Sequence, residues 1–267
     1  QISGAEIKPE DPLRAEADKI SYGQSPTHWV PAPQASFGKV DLQVGLGNYT
    51  LTNNLNTVGS LSSTKTLFVP SIHLDTEIWI TKNWFAQIGI RQYILSLSNP
   101  YPGSTPEQIQ VSTMQTQVAG GYYLLTTDDF FGPKFQFTFG YSNFKSTVDD
   151  STPKAFTSNT FSGLVIGLGG SMPVSEELPL TLGANLNYHW QPTFDETPVS
   201  TGGSSTSTVT SFNFWGTYRW SEHYHLKSQL MYDLFSASLS GAGTRSPNGT
   251  SVSHSLMTIT AGIEYFF

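Results

Sequence analysis

From Phe37 onward, apolar side chains recur at every second position in run after run. Val40, Leu42, Val44 and Leu46 alternate with Lys39, Asp41, Gln43 and two glycines. Ile72, Leu74, Ile78 and Ile80 alternate with Ser71, His73, Asp75, Glu77 and Trp79, and Ala86, Ile88 and Ile90 with Gln87, Gly89 and Arg91. Successive side chains of a strand point to opposite faces, so each run predicts a β-strand with one apolar and one polar face. The rhythm continues around Val118, Phe137, Ile166, Leu186, Phe214 and Leu230, and closes on Met257, Ile259, Ala261, Ile263, Tyr265 and Phe267. Ten strands of about a dozen residues are predicted, longer than the ~5–6 residues usual in globular sheets.

The links between these runs alternate. Longer polar ones fall near 53–63, 99–108, 147–158, 194–206 and 240–251; shorter ones fall at 81–83, 126–132, 173–179 and 221–223. A soluble sandwich also alternates, but its outer face carries Lys and Glu, whereas the polar positions here are mostly Gly, Ser, Thr, Asn and Gln. Trp84, Phe135, Trp220, Tyr265 and Phe267 gather at the short-link end of the apolar faces, as an interfacial girdle requires. The fold expected for residues 37–267 is therefore a closed antiparallel transmembrane β-barrel of about ten strands, all-β, with its termini at the short-link end.

Composition narrows the partners. Only 12% of residues are charged and the net charge is −7, which leaves no basic field for nucleic acid. Cysteine is absent, so neither disulfides nor a thiolate metal site is available. No apolar run reaches the ~18–20 residues of a membrane helix, so a bilayer crossing has to be made by strands. The sequence opens at Gln1 without Met or an apolar leader, the form expected of an exported chain after signal removal. Residues 1–36 differ from the rest: Glu6, Lys8, Glu10, Asp11, Arg14, Glu16, Asp18 and Lys19 crowd together. Asp11 before Pro12 reads as a helix cap, predicting a short helix to Ile20, with extended linker beyond. This segment is expected to be periplasmic, a linker, a plug or a dock for a periplasmic or membrane protein.

The ending Thr260, Ala261, Gly262, Ile263, Glu264, Tyr265, Phe266, Phe267 resembles the assembly signal of bacterial outer-membrane β-barrel proteins, in which Thr260, Gly262, Tyr265 and Phe267 are the matching positions. The resemblance implies insertion by the barrel-assembly machinery and residence in the lipid of a Gram-negative outer membrane. Ten-stranded proteases and lipid-modifying enzymes occur among such barrels. Their motifs have no match in the acidic and His residues expected at the long-link rim, Asp149, Asp150, Asp195, Glu196 and His254. Ser253 and His254 are adjacent on a strand, which sends them to opposite faces.

Parity assigns Lys39, Arg91, Lys134, Arg219 and Lys227 to the lumen together with Asp41, Asp75, Glu77, Asp233 and Glu264. Charges withdrawn from bulk water need partners, so an internal ion-pair and hydrogen-bond network is expected, a narrow pore being the alternative use of the same groups. His73, Asp75 and Glu77 at alternate positions also raise a metal site, for which Arg91 offers a competing explanation as ion partner. Gly167, Gly169 and Gly170 lie in a strand, followed by no Lys-Ser/Thr, and are expected to pack against large lumen groups such as Trp215. The functional expectation is a non-enzymatic structural or interaction barrel without cofactor; the alternatives are a small-solute channel and, after it, a rim enzyme.

Overall fold

The computed structural model describes residues 36–55, 60–99, 107–149, 156–175, 178–244 and 250–267. The helix expected at 12–20 and Asp150 lie outside the described residues. Ten strands form: β1 (Gly38–Leu55), β2 (Ser60–Trp79), β3 (Trp84–Ser98), β4 (Gln108–Leu125), β5 (Lys134–Val148), β6 (Ser158–Pro173), β7 (Leu180–Thr197), β8 (Ser204–Arg219), β9 (Tyr224–Ser240) and β10 (Ser251–Phe266). Each pairs antiparallel with its sequence neighbour, and β1 closes on β10 from Lys39 opposite Phe266 to Asn54 opposite Ser251. A closed ladder has no unpaired edge, the condition for crossing hydrocarbon with strands.

The strands are longer than expected, from 15 residues in β3 to 20 in β2. The link expected over 53–63 shrinks accordingly to 56–59, and that over 194–206 to 198–203. The contrast in link length is therefore weaker than the sequence suggested; much of what read as loop is ladder. The end that carries the start of β1, the end of β10 and links 80–83, 126–133, 174–179 and 220–223 is here the near end; the other is the far end.

Along each strand the apolar face changes sides. In the near half it points outward: Leu42, Val44 and Leu46 on β1, Phe135, Phe137 and Phe139 on β5, and Ile259 and Ile263 on β10 are all exposed, and Trp84, Phe135 and Trp220 stand at the near margin. On β10 this outward run from Met257 to Phe267 covers about 25 Å along the barrel axis, at ~3.3 Å per residue and a ~40° tilt, which matches a lipid belt. In the far half the outward positions turn polar. Ser96 and Ser98 on β3, Lys145 and Thr147 on β5, and Ser251, Ser253 and Ser255 on β10 take them. The inward positions become apolar: Leu95 and Leu97, Phe144 and Val148, Val252 and Leu256 are buried there. Physically, the far half is built like a small water-exposed barrel with its own apolar interior, standing on a lipid-embedded one.

Two irregularities mark the level of this change. The β1–β2 register shifts between Gly47 and Tyr49, where Leu67 and Phe68 oppose one residue, and the β6–β7 register shifts between Ser162 and Leu164. The extra residues are held in the left-handed region, Phe68 at φ 59° and Gln191 at φ 43°. Side chains other than Gly and Asn pay on the order of 1–3 kcal/mol for such conformations. The bulges reverse inward parity on β2 and β7, so that Thr64 and Phe194 face in where strict alternation would turn them out.

Candidate functional site in the bore

The near half of the bore holds every lumen charge expected from parity. Lys227 on β9 reaches Asp41 on β1 at 2.5 Å and Glu264 on β10 at 3.3 Å, and Lys39 reaches Glu264 at 2.9 Å. Gln43 fixes the back of this cluster, donating to Asp41 and Gln229 at 2.7 and 3.0 Å and accepting from Thr260. Arg91 on β3 faces Asp233 on β9 at 4.0 Å across the bore. Asp75 lies over its cross-strand partner Gly89, where a Cβ would come 2.4 Å from its carboxylate. The described carboxylates and cations of the bore stand in a mesh in which each sign faces the other.

Glu77 is used differently. It accepts the indole N–H of Trp79 at 2.5 Å and the hydroxyl of Tyr123 at 2.7 Å, anchoring an aromatic layer at the near mouth. The 126–133 link folds Phe130 and Phe131 back into that mouth. Phe130 meets Trp79 edge-on at 4.7 Å, and Phe131 packs on Phe266 and His225. Lys134 sits 4.0 Å over the Phe130 ring and 4.4 Å over Tyr123, and Arg219 4.7 Å over Phe131. Cations on ring faces gain quadrupole attraction of about 0.5–2 kcal/mol, so the mouth is narrowed by groups that hold one another.

His73 stands above the charges, its ring edge-on to Tyr93 at 5.6 Å. It does not join Asp75 and Glu77 in a ligand set, and among the described residues no group of three His, Cys, Asp or Glu has metal-site proximity. Their side chains point the same way, but His73 packs on Tyr93, Asp75 lies over Gly89 and Glu77 is hydrogen-bonded by Trp79 and Tyr123.

Above His73 the bore is filled by buried side chains that are mostly apolar, with a few polar ones such as Ser146 and Asn159 among them. Phe144 on β5 and Phe235 on β9 stack at 3.9 Å across the centre, with Phe161 and His254 against them at 5.7 and 5.4 Å. His254, expected at the rim, is instead fully buried. Tyr49 Oη and His254 Nδ1 lie 2.6 Å apart, and His254 Nε2 and Asn159 Oδ1 3.0 Å. With Tyr49 donating to Nδ1 and Nε2–H donating to Asn159, a neutral ring is fully satisfied, and it has no free nitrogen for base chemistry. Of the other rim candidates, Asp149 and Asp195 are exposed, while Glu196 accepts from Thr157 Oγ1 at 2.6 Å and the Thr201 amide at 2.6 Å. Ser253 and Ser255 face outward, away from His254. These residues share no nucleophile-base geometry.

The lumen aromatic Trp215 packs on Gly183, its direct cross-strand partner, and not on Gly167, Gly169 or Gly170. Gly167 instead receives Thr138 and Asn187, and Gly169 receives Asn185. Contact across a sheet follows register, which spacing along one strand does not give.

A polar cavity of about 150 Å³ lies between the filled far half and the aromatic mouth, and joins a smaller one of about 70 Å³ under Phe130 and Phe131. Closed ladder, lipid-facing belt and enclosed charge mesh together define a small β-barrel of the outer-membrane type. No family model and no curated protein matches the chain. Among solved structures it is similar to the outer membrane protein OprG from Pseudomonas aeruginosa, at 9% identity over 87% of this chain and 97% of that one, with a TM-score of 0.41. It is also similar to the outer membrane protein AlkL in lipid bilayers, at 12% identity over 90% and 96% with a TM-score of 0.39. A third is Ail, the attachment invasion locus protein of Yersinia pestis, at 9% identity over 86% and 99% with a TM-score of 0.35. Overlaps this loose say nothing about use of the bore, which its own residues have to decide.

Proposed function

We infer that this chain is a non-conducting outer-membrane barrel with a structural or interaction role, its near end and both termini in the periplasm and its apolar-cored far half raised above the outer leaflet. The observation that carries this reading is the Phe144–Phe235 stack at 3.9 Å across the bore, within a buried cluster that runs from Tyr49 to Leu256. An ion would have to cross that layer without water or a partner charge, at a cost of several kcal/mol or more. The raised half then serves as a rigid platform for the far links. Membrane residence is supported by the outward belt, and insertion by the barrel-assembly machinery by Thr260, Gly262, Tyr265 and Phe267 on the last strand. Residues 1–36 lead into β1 at the near end, the position from which they would dock a periplasmic or membrane protein.

Planar-bilayer recording of the purified full chain tests this directly. The expected result is no discrete conductance; reproducible steps carried by the unaltered chain would establish the channel reading, which the polar cavity favours. Crosslinking from positions near Arg14 in intact envelopes tests the dock, and the absence of any protein adduct would remove it.

A further inference from the structure

Most charges of the near bore sit on β1, β2, β3, β9 and β10. On the facing wall, β5 to β8, the two cations Lys134 and Arg219 stand at the near mouth over aromatic rings, and the other side chains that line the cavity from there are neutral. Gln136, Thr138, Asn185, Asn187, Asn213 and Trp215 line the same cavity from that side. Glycines create the room. A Cβ on Gly183 would lie 2.3 Å from the Trp215 ring, and one on Gly167 2.3 Å from Asn187 Oδ1. Ring and amide therefore lie flat against bare backbone instead of projecting into the bore. Asn185 and Asn213 are direct partners across β7 and β8, and among the described residues the Oδ1 of each finds no hydrogen-bond partner; nor do Thr217 Oγ1 and His225 Nε2, both nine-tenths buried toward the mouth. Bare buried polar atoms are unfavourable and select an occupant able to answer them.

We propose that this chamber binds one small neutral polyhydroxylated molecule, about the size of a hexose, taken up from the near end. The class follows from the walls. Amide and hydroxyl side chains can both donate to and accept from hydroxyl groups, and the indole face of Trp215 suits the C–H face of a saturated ring. Charge follows from the mesh: Lys39, Arg91 and Lys227 are already paired with Glu264, Asp233 and Asp41, Lys134 and Arg219 lie over aromatic rings, and Glu77 is held by Trp79 and Tyr123, so a charged guest would find its counter-ions engaged. Size follows from the 150 Å³, the volume of about five water molecules at the ~30 Å³ each takes in the liquid, which limits the guest to a single small ring. Direction follows from continuity: Lys39, Glu77, Lys134, Trp215 and Glu264 line both this chamber and the smaller cavity at the near mouth, while the Phe144 layer closes the other side. The guest leaves as it came, so the site retains or senses its ligand and transports nothing.

The test uses the full chain in detergent micelles, titrated with glucose, myo-inositol and glutamate, with binding read by calorimetry and by saturation-transfer NMR. Saturable binding of glucose or inositol, one per chain, is expected, weakened at least tenfold by Asn213→Leu and by Trp215→Ala. Asn213→Ser, which withdraws the amide without adding bulk, is expected to act in the same direction in a barrel that keeps its heat-dependent gel mobility. No saturable binding of either polyol overturns the proposal, as do binding unchanged in Asn213→Ser and Trp215→Ala or tighter binding of glutamate. A barrel that conducts ions and still binds glucose would sink the closed-bore reading and leave this one standing.

Discussion

The two halves of this barrel solve the same problem with opposite surfaces. In the near half lipid takes the apolar face, so the bore is left to Lys39, Asp41, Glu77, Arg91, Lys227, Asp233 and Glu264, which must then satisfy one another. In the far half water takes the polar face, so Leu95, Phe144, Phe161 and Phe235 turn inward and fill the bore. One strand serves both because alternation gives two faces and the surrounding solvent chooses which is buried. The lesson is that strands that run past the bilayer can fill part of their own bore with side chains of the ladder itself.

If the far half is a packed core, its centre should carry the largest single-residue effect. Phe235→Ala removes one ring of the stack and is expected to cost about 3–5 kcal/mol, read as a lowered denaturant midpoint for the chain folded in liposomes. A cost below about 1 kcal/mol, within the usual surface range, would mean that the far rings do not bear on one another. The near half should answer differently. Asp41→Leu leaves Lys227 with Glu264 alone and is expected to cost about 3 kcal/mol, whereas adding Lys227→Met to it recovers most of the loss. No such rescue exists for a missing ring. A double variant as unstable as Asp41→Leu would break the contrast.

What could be read from the residues divides along the same line. Strand number, closure and the eleven inward charged and His positions were legible because Ile, Leu and Phe alternate with them at the lipid level. In the far half the rhythm persists but its sense reverses: on β3, Ile88 and Ile90 share parity with Ser96 and Ser98. The outward apolar rhythm therefore ends at the reversal, and the upper parts of the strands read as links. His254 had its face legible and its depth not, since depth depends on where the strands stop. The bulges at Phe68 and Gln191 carry no glycine to announce their positive φ. Phe130 and Phe131 looked like turn residues, and only closure of the ring of strands brings them onto Trp79 and Phe266. The signal that could have found the far core is the parity switch itself, Ser and Thr taking over from Ile and Leu at one height on many strands.

Charge placed on the outside should sharpen the comparison next. Ile259→Arg puts a guanidinium on the outward face of β10 within the lipid belt and is expected to cost about 2–3 kcal/mol. Ser253→Arg, six residues along the same face, is expected to cost about 0–1 kcal/mol, because there the face meets water. Refolding into liposomes measures both. Equal penalties would place Ser253 in lipid and remove the solvent change on which the two-halves account depends.

The smallest effect belongs to the cap of the far half. Glu196 accepts from Thr157 Oγ1, the Thr201 amide and Thr201 Oγ1, tying the β5–β6 link to the β7–β8 link. Ser200 and Thr244 join the β7–β8 link to the β9–β10 link through reciprocal bonds of 2.9 and 3.2 Å. Glu196→Gln keeps the shape but removes the charge and turns one acceptor oxygen into an amide donor, so about 1 kcal/mol is expected. The loss should stay local, appearing as faster hydrogen exchange at the Thr201 amide with the exchange of Phe235 unchanged. Spread of that loosening to Phe235 would mean that the links and the apolar layer open as one unit, and the platform would then be part of the seal.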